Sequence, residues 1–265
     1  MTAGARAARS VVICHVYNEE LLLPYWLAHH RRLFDHGVIL DYASTDGTRA
    51  AFERAGLDWE FRPSRNEWFD PEAVDAEVMD VEAEFAEGVW KMALTVTEYL
   101  FASSLDRITT GWRTDVRAVA IDVAMMIDPP SHRALPVSPR IPLYLQRHHG
   151  QIGPSRHRFL HRALRGEYHV GRHRTNLPCE SVDGLALKWG YSPFDAIKAR
   201  KLQIGARIPE EAVRKGWGYQ HMVDEEGLEQ DYQRRQQDVR DLLGDPRFVQ
   251  PLLDICREWP DWDLR

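Results

Sequence analysis

Two sets of polar side chains each follow a short apolar run. His15, Tyr17, Asn18 and Glu19 come after Val11-Val12-Ile13, and Asp41, Ser44 and Asp46 come after Val38-Ile39-Leu40. The β-branched runs have the length and composition of buried parallel strands. In open α/β sheets ligands bind beyond the carboxyl ends of the strands, so these polar groups stand where a ligand would sit. An acid just past a second strand can accept from a ribose hydroxyl or a base edge. The same residues also suit structural work, with Asn18 and Asp46 as helix N-caps and Asp41 as a turn residue. On this stretch alone both readings are open.

The elements that must position these groups form a βαβ unit. Asn18, Glu19 and Glu20 open a helix, the two acids suiting its positive end. Leu22, Leu23, Trp26, Leu27, His30 and Leu33 recur at helical spacing through Phe34, and Gly37 stops the run. The crossover should be right-handed. A short helix over 48–55 and a third strand over 58–62 follow. Arg65, in the loop after that strand, either neutralises a phosphate or is a solvated charge.

Pro71 to Glu87 predicts an acidic helix with Val74, Val78, Val81 and Phe85 as its buried stripe. Asp75, Glu82 and Glu84 are read as its solvated face. Glu77 either borders a pocket or is an exposed acid, the latter being the simpler reading. Met92 to Val96 alternates as a central strand. Residues 117–130 read as a long apolar strand interrupted by Asp122 and Asp128. A carboxylate there is costly unless paired, so each is a turn residue or functional. Asp122 is the candidate for a catalytic proton-accepting carboxylate.

Residues 131–158 are rich in Pro, Arg and His and read as loops. His157, His161, His169 and His173 lie among arginines, yet their spacing matches no compact zinc pattern and no cysteine pair accompanies them. Arginines offer forked donors for phosphate, so the run reads as a cationic wall for a diphosphate or as a solvated basic loop. Ser192-Pro193 starts a helix. Gly216-Trp217-Gly218 suggests a lid or an aromatic turn. A polar helix over 225–243 and a C-terminal cap over 248–262 show no chemistry.

With 265 residues and 44% hydrophobic content, the chain can bury a real core. A net charge of -6 gives no footprint for binding a nucleic acid polymer. The three cysteines are far apart and odd in number, which predicts reduced thiols and a cytoplasmic protein. Residues 1–9 lack the apolar core of a signal peptide. No apolar run approaches the roughly 20 residues of a membrane span.

The order strand, Asn18-Glu19-Glu20, strand, Asp41-x-x-Ser44-Thr45-Asp46-Gly47-Thr48 resembles the start of a family 2-type glycosyltransferase of the GT-A fold. No dinucleotide glycine fingerprint follows the first strand, which argues against NAD. The resemblance implies an α/β fold of nucleotide-sugar-binding type, mainly a parallel sheet flanked by helices. It implies a domain over 10–221 and a C-terminal helical extension over 222–265. It further implies that Tyr17, Glu19 and Asp41 contact base and ribose, with Asn18 beside them and Ser44 and Asp46 shaping the pocket.

Relatives carry Trp, five residues, then Asp-x-Asp-Glu with an aromatic. Here Trp90 precedes Thr95-Val96-Thr97-Glu98-Tyr99, so both metal-binding aspartates are threonine. The chain thus resembles a bacterial subfamily lacking the usual Asp-x-Asp. Mg²⁺ and Mn²⁺ need hard oxygen ligands, which Thr95 and Thr97 supply poorly. The favoured reading is that no metal is held and the diphosphate charge is met by Arg, Lys and His; if Mg²⁺ or Mn²⁺ is present, Glu98 and His173 hold it. Glu98 ranks first as catalytic residue. Gly171-Arg172-His173 matches a late Gly-Arg-His of the relatives, with Arg172 and His173 on the phosphates. Tyr191, Ser192, Lys198 and Lys201 match a segment before a basic helix, with Lys201 reaching a phosphate. The implied activity is sugar transfer from a nucleotide-sugar donor, UDP-linked, to an acceptor that is a small molecule, glycan or peptide. The alternative is a catalytically silent nucleotide- or glycan-binding protein of the same fold.

Overall fold

The computed structural model describes residues 8–110, 116–218 and 222–261. Tyr219, Gln220 and His221 of the glycine-aromatic segment lie outside the described residues, as does Trp262. The N-terminal half runs β1 (Ser10–Val16), α1 (Leu23–His30), β2 (His36–Asp41), α2 (Thr48–Arg54), β3 (Glu60–Pro63), α3 (Pro71–Glu82) and β4 (Trp90–Thr95). After it come β5 (Glu98–Phe101), the short α4 (Asp106–Thr109), β6 (Ala118–Ile127), α5 (Pro130–Arg133), α6 (Leu143–Gln146), β7 (His149–His161) and β8 (Cys179–Tyr191). The chain then forms α7 (Phe194–Gly205), α8 (Glu210–Arg214), α9 (Glu225–Arg235), β9 (Arg240–Asp241) and α10 (Pro246–Glu258). No described helix is long and apolar enough to cross a membrane.

The strands form one sheet in the order β3-β2-β1-β4-β7-β6-β8-β5, with β9 added beside β7. β3, β2, β1 and β4 are mutually parallel, and β6 and β8 run the same way. Only β7 and β5 oppose them. The sheet is therefore mainly parallel and flanked by helices, as expected. β1 is buried on both faces, which explains its unbroken apolar run. Val12, Cys14 and Val16 face Trp26 and Leu27 of α1 and Phe248 and Leu252 of α10, within one core. Val11 and Ile13 face Val74, Val78 and Val81 of α3 and Ile204 of α7, within a second core.

At the sheet edge, β5 is covered by polar groups of α1. Trp26 Nε1 donates to the Glu98 carbonyl at 2.9 Å, and His29 Nε2 lies 2.7 Å from the Leu100 carbonyl. His30 Nε2 meets the Leu100 N–H at 3.3 Å. These bonds satisfy an edge that would otherwise pair with another chain, and they fix the position of Glu98.

Four expectations need correction. The first helix starts at Leu23, not at Asn18, with Pro24 in its first turn. Asn18 is instead left-handed at φ 52, a conformation Asn tolerates, and is tied to the 44–48 turn. Residues 149–161 are a 13-residue strand rather than a loop. Their basic and histidine side chains find buried carboxylates, which masks the alternation a strand normally shows. The polar helix expected over 225–243 ends at Arg235, and β9 follows. Finally, the acids read as the solvated face of α3 are mostly not solvated: Asp75, Glu77 and Glu82 are buried, while Glu84, just past the helix, is exposed.

Candidate active site

The three buried acids of α3 organise the loops around the strand ends. Glu77 accepts from Tyr42 Oη at 2.9 Å, Ser64 Oγ at 2.7 Å, the Arg65 N–H at 2.8 Å and Asn66 Nδ2 at 2.8 Å. It thereby shapes the turns after β2 and β3 from beneath. Asp75 accepts from the Gly171 N–H at 2.7 Å and pairs with Arg172. Glu82 holds Tyr168 Oη at 2.9 Å, the Gly166 N–H at 2.7 Å and His161 Nε2 at 3.1 Å. One helix face therefore anchors both the first strand-end loops and the late basic segment.

Beyond β2 and β3 lies an open cleft of about 440 Å³ lined by Asp41, Ala43, Ser64, Asn66, Trp68 and Arg207, among others. Asp41 Oδ1 accepts from Ser44 Oγ at 2.6 Å and the Ser44 N–H at 3.2 Å, while among the described residues Oδ2 has no partner. The carboxylate is thus oriented by Ser44 and still has an oxygen to offer. Trp68 is 54% exposed and presents an aromatic surface to the cleft. Arg207 lies 4.4 Å over the Tyr17 ring, and Tyr17 also packs edge-on against Phe69. Tyr17 accordingly forms a wall beside this cleft.

The remaining residues of the first stretch are cross-braces. Asn18 Oδ1 accepts from the Thr45 N–H at 2.8 Å, and the Asn18 N–H donates to Ser44 Oγ at 2.9 Å. Asp46 accepts from the N–H groups of Thr48 at 2.9 Å and Glu20 at 3.1 Å. Glu19 is buried and pairs with Arg200 of α7. Burial raises its pKa to about 7 although Arg200 opposes the shift. Glu19 therefore faces the protein interior, and its expected contact with base or ribose is not what its surroundings provide. The Arg65 guanidinium pairs with Asp80 at 2.5 Å on the exposed side of α3, in keeping with the solvated one of its two readings.

The register carries the site onward along the strand ends. Val16 lies opposite Asp41, and His15 lies opposite Thr95. His15 Nδ1 is 3.3 Å from Arg172 Nη2. Arg172 has φ 56 and follows Gly171 at φ 86, two successive left-handed residues held by Asp75. A bulky side chain rarely adopts that backbone, so tertiary contacts impose it. Its neighbour His173 lies with Nδ1 2.7 Å from Arg158 Nη1. Burial, then Arg158 and Lys188, lowers the His173 pKa to about 2, so the ring is neutral.

Arg158 continues to Glu98, donating from Nε at 2.8 Å and also from Nη2. Lys188, opposite Glu98 in the β5–β8 register, donates to the same carboxylate at 2.7 Å, and the Thr95 N–H adds a bond at 3.0 Å. Burial opposes ionisation of Glu98, but the two cations outweigh it and hold its pKa well below the usual range. Thr95 and Thr97 share a hydroxyl hydrogen bond at 2.9 Å.

This donor set does not fit Mg²⁺ or Mn²⁺. Both Glu98 oxygens are committed to cations, the two threonines are neutral, and His173 Nδ1 is taken by Arg158. A hard divalent ion needs free carboxylate oxygens, and here a guanidinium and an ammonium occupy the surroundings of the one carboxylate. A metal held by Glu98 and His173 would therefore have to displace Arg158 and Lys188. Glu98 as a group acting on substrate is corrected: it is wholly buried and spent on Arg158 and Lys188.

No family model matches the sequence, and no curated protein matches it either. Among solved structures the chain is similar to a mannosyltransferase from Pyrobaculum calidifontis in complex with GDP-Man and Mn²⁺. That likeness has a TM-score of 0.43 at 15% identity and spans 96% of this chain and 76% of that one. It is also similar to residues 1–349 of S. aureus TarS in complex with UDP-GlcNAc, with a TM-score of 0.35 at 11% identity over 94% of this chain and 80% of that one. Against a longer TarS chain the match covers 49% of this chain at 17% identity with a TM-score of 0.29, and the chain spans 25% of that relative's length.

Two further expected site residues are not hydrogen-bonded into this line of strand-end groups. Asp122 lies in β6, two strands from β4, with His157 Nδ1 3.1 Å from its carboxylate. Lys201 on α7 sets its ammonium 3.7 Å from the centre of the Tyr191 ring, at the end of β8. Among the described residues no carboxylate forms an ion pair with Lys201, and burial lowers its pKa to about 7.

Sequence reading missed Trp68, Arg207, Arg158, Lys188 and Arg200. Arg158 is one of many basic residues between 156 and 174 and carries no individual mark. Lys188 is paired with Glu98 only through strand register, which a single sequence does not display. Trp68 had a usable signal, an aromatic in the loop directly after a third strand.

Proposed function

We propose that the chain is a GT-A-type glycosyltransferase that takes a nucleotide-sugar donor, UDP-linked, and moves its sugar to an acceptor without a divalent metal. One observation carries this reading. A line of polar groups near the strand ends joins His15, Arg172, Arg158, His173, Glu98 and Lys188 through their contacts, with Asp41 at the end of the neighbouring strand β2. It starts at a cleft with an exposed aromatic and ends in a cationic cluster, which is the layout a nucleoside diphosphate requires.

In this reading the base stacks on Trp68, and Asp41 accepts from the base edge or a ribose hydroxyl. Charge developing on the departing diphosphate is met by Lys188 and Lys201, side chains already oriented before reaction. Lys188, brought down to about 8 by burial against the pull of Glu98, is held in place by that carboxylate. Glu98 is therefore a positioning residue that fixes Arg158 and Lys188. Asp122, paired with His157, takes the acceptor proton.

The second reading is a silent binding protein of this fold. The commitment of Glu98 to two cations favours it, since no free carboxylate remains beside Thr95 and Thr97. Release of nucleoside diphosphate from a panel of UDP-, GDP- and dTDP-sugars, measured in EDTA, separates the two. Release from one donor class supports transfer. Nucleotide binding with no release from any donor, with or without acceptor mixtures, supports the silent reading.

A further inference from the structure

A separate cluster lies where the C-terminal segment joins the sheet. β9 pairs with the start of β7, and the register sets Asp241 directly opposite His149. His148 Nε2 is 3.5 Å from Asp241 Oδ1, and the His148 ring stacks on His149 with centroids 4.6 Å apart. His148, His149 and Asp241 each offer one ligand atom, and these three atoms lie within 4.8 Å of one another. His132, on α5, brings a third imidazole edge-on to His149 at 4.8 Å.

One observation sets this group apart from an ordinary histidine patch. Nδ1 of His132 and Nδ1 of His149 are both buried with no hydrogen-bond partner. A buried ring nitrogen without a partner is costly, and His149, which carries one of them, is among the three residues whose ligand atoms gather here. Asp241 also has structural work, since its Oδ1 accepts from the Leu243 N–H at 3.0 Å. Among the described residues its other oxygen has no such duty.

We propose that His148, His149 and Asp241 bind a divalent transition metal, with zinc the best match and His132 or a water as fourth ligand. Two or three imidazoles with one carboxylate suit zinc and not magnesium or calcium, which take oxygen ligands. The ion clips β9 to β7 and so fastens the C-terminal segment, including α10, to the sheet. This inference is independent of the donor site and of the transferase reading.

The test uses the full-length chain stripped with a chelator, followed by competitive zinc titration, cobalt absorption spectra and thermal melts. The expected result is about one equivalent of tight zinc. At a zinc excess of roughly 100 times Kd, the melting temperature should rise by about 5–10 °C. His149→Ala and Asp241→Asn should each weaken zinc binding by roughly 100-fold or more and remove the thermal shift. Asp241→Asn retains an acceptor for Leu243, so it decides the matter if His149→Ala fails to fold. A cobalt spectrum with tetrahedral intensity that weakens in His132→Ala would assign His132 as fourth ligand. Zinc binding unchanged in both Asp241→Asn and His149→Ala would overturn the proposal, as would absence of binding by the wild-type chain.

Discussion

Arg158 donates to Glu98 from Nε at 2.8 Å and again from Nη2, and neither side chain reaches solvent: the carboxylate is 0% exposed and the guanidinium side 2%. A forked contact of this kind fixes both partners in orientation. Arg158 reaches His173 with its other arm and Lys188 shares the carboxylate, so three segments distant in sequence meet at one acid.

Breaking this contact should cost the fold before it costs the chemistry. Glu98→Gln leaves Arg158 and the largely buried Lys188 without a counter-charge. Loss of one partner of a buried pair is worth about 3–5 kcal/mol. Urea denaturation should show that loss near pH 7, and a change under about 1 kcal/mol would mean that the pair is not buried as described. The pH sign follows from the depressed carboxylate. Its stabilisation is complete above the unfolded value of 4.5 and is lost as pH falls toward the lower folded value. Glu98→Gln should therefore flatten the acid limb of the stability profile.

Lys201 gives the opposite pH signature. Its folded pKa of about 7 lies below the unfolded 10.5. Between these values the unfolded chain binds more protons, so stability rises with pH across that window. Lys201→Met should be more stable than wild type at pH 7 and below, with the margin closing toward pH 10.5. Thermal melts at pH 6.5, 8 and 9.5 test this. In wild type, a bound diphosphate should restore the charge, so nucleotide binding at pH 8 should take up a proton, visible as buffer-dependent binding enthalpy. A pH-independent margin would remove Lys201 as a desolvated cation.

The cleft beyond β2 and β3 can be tested without disturbing the core. Trp68→Ala should weaken nucleotide binding by about 1–3 kcal/mol, the scale of a lost base–aromatic stack. Its melting temperature should stay near wild type because the ring is exposed. Asp41→Ala should weaken binding by about 1–3 kcal/mol, as for a lost hydrogen bond to a charged group. Unchanged affinity in both variants would move the nucleotide away from this cleft.

Much of the first βαβ unit was legible because both strands are buried on two faces and read as apolar runs. Asp41 and Ser44 were found for the same reason: a polar residue directly after such a run must sit at a strand end. The late half was less legible. Residues 149–161 form a long strand whose Arg158 and His161 are charged or polar yet buried, so the usual alternation is hidden. Asp75, Glu77 and Glu82 were read as solvated because nothing in a single sequence says that Arg172, Tyr42 and His161 will arrive to pair with them. Glu98 was located through its place after Trp90 and the two threonines. Its role as an anchor for Arg158 and Lys188 emerged only from tertiary contacts.

The most direct measurement is calorimetric titration of UDP, GDP and dTDP into the purified chain, first in EDTA and then with Mn²⁺, on wild type and Lys188→Met. The prediction is that one nucleotide binds in EDTA, that Mn²⁺ changes its affinity by less than about 1 kcal/mol, and that Lys188→Met weakens it by about 1.5–3 kcal/mol. Binding that appears only with Mn²⁺ would contradict a cation-held diphosphate site and return the metal to Glu98 and His173.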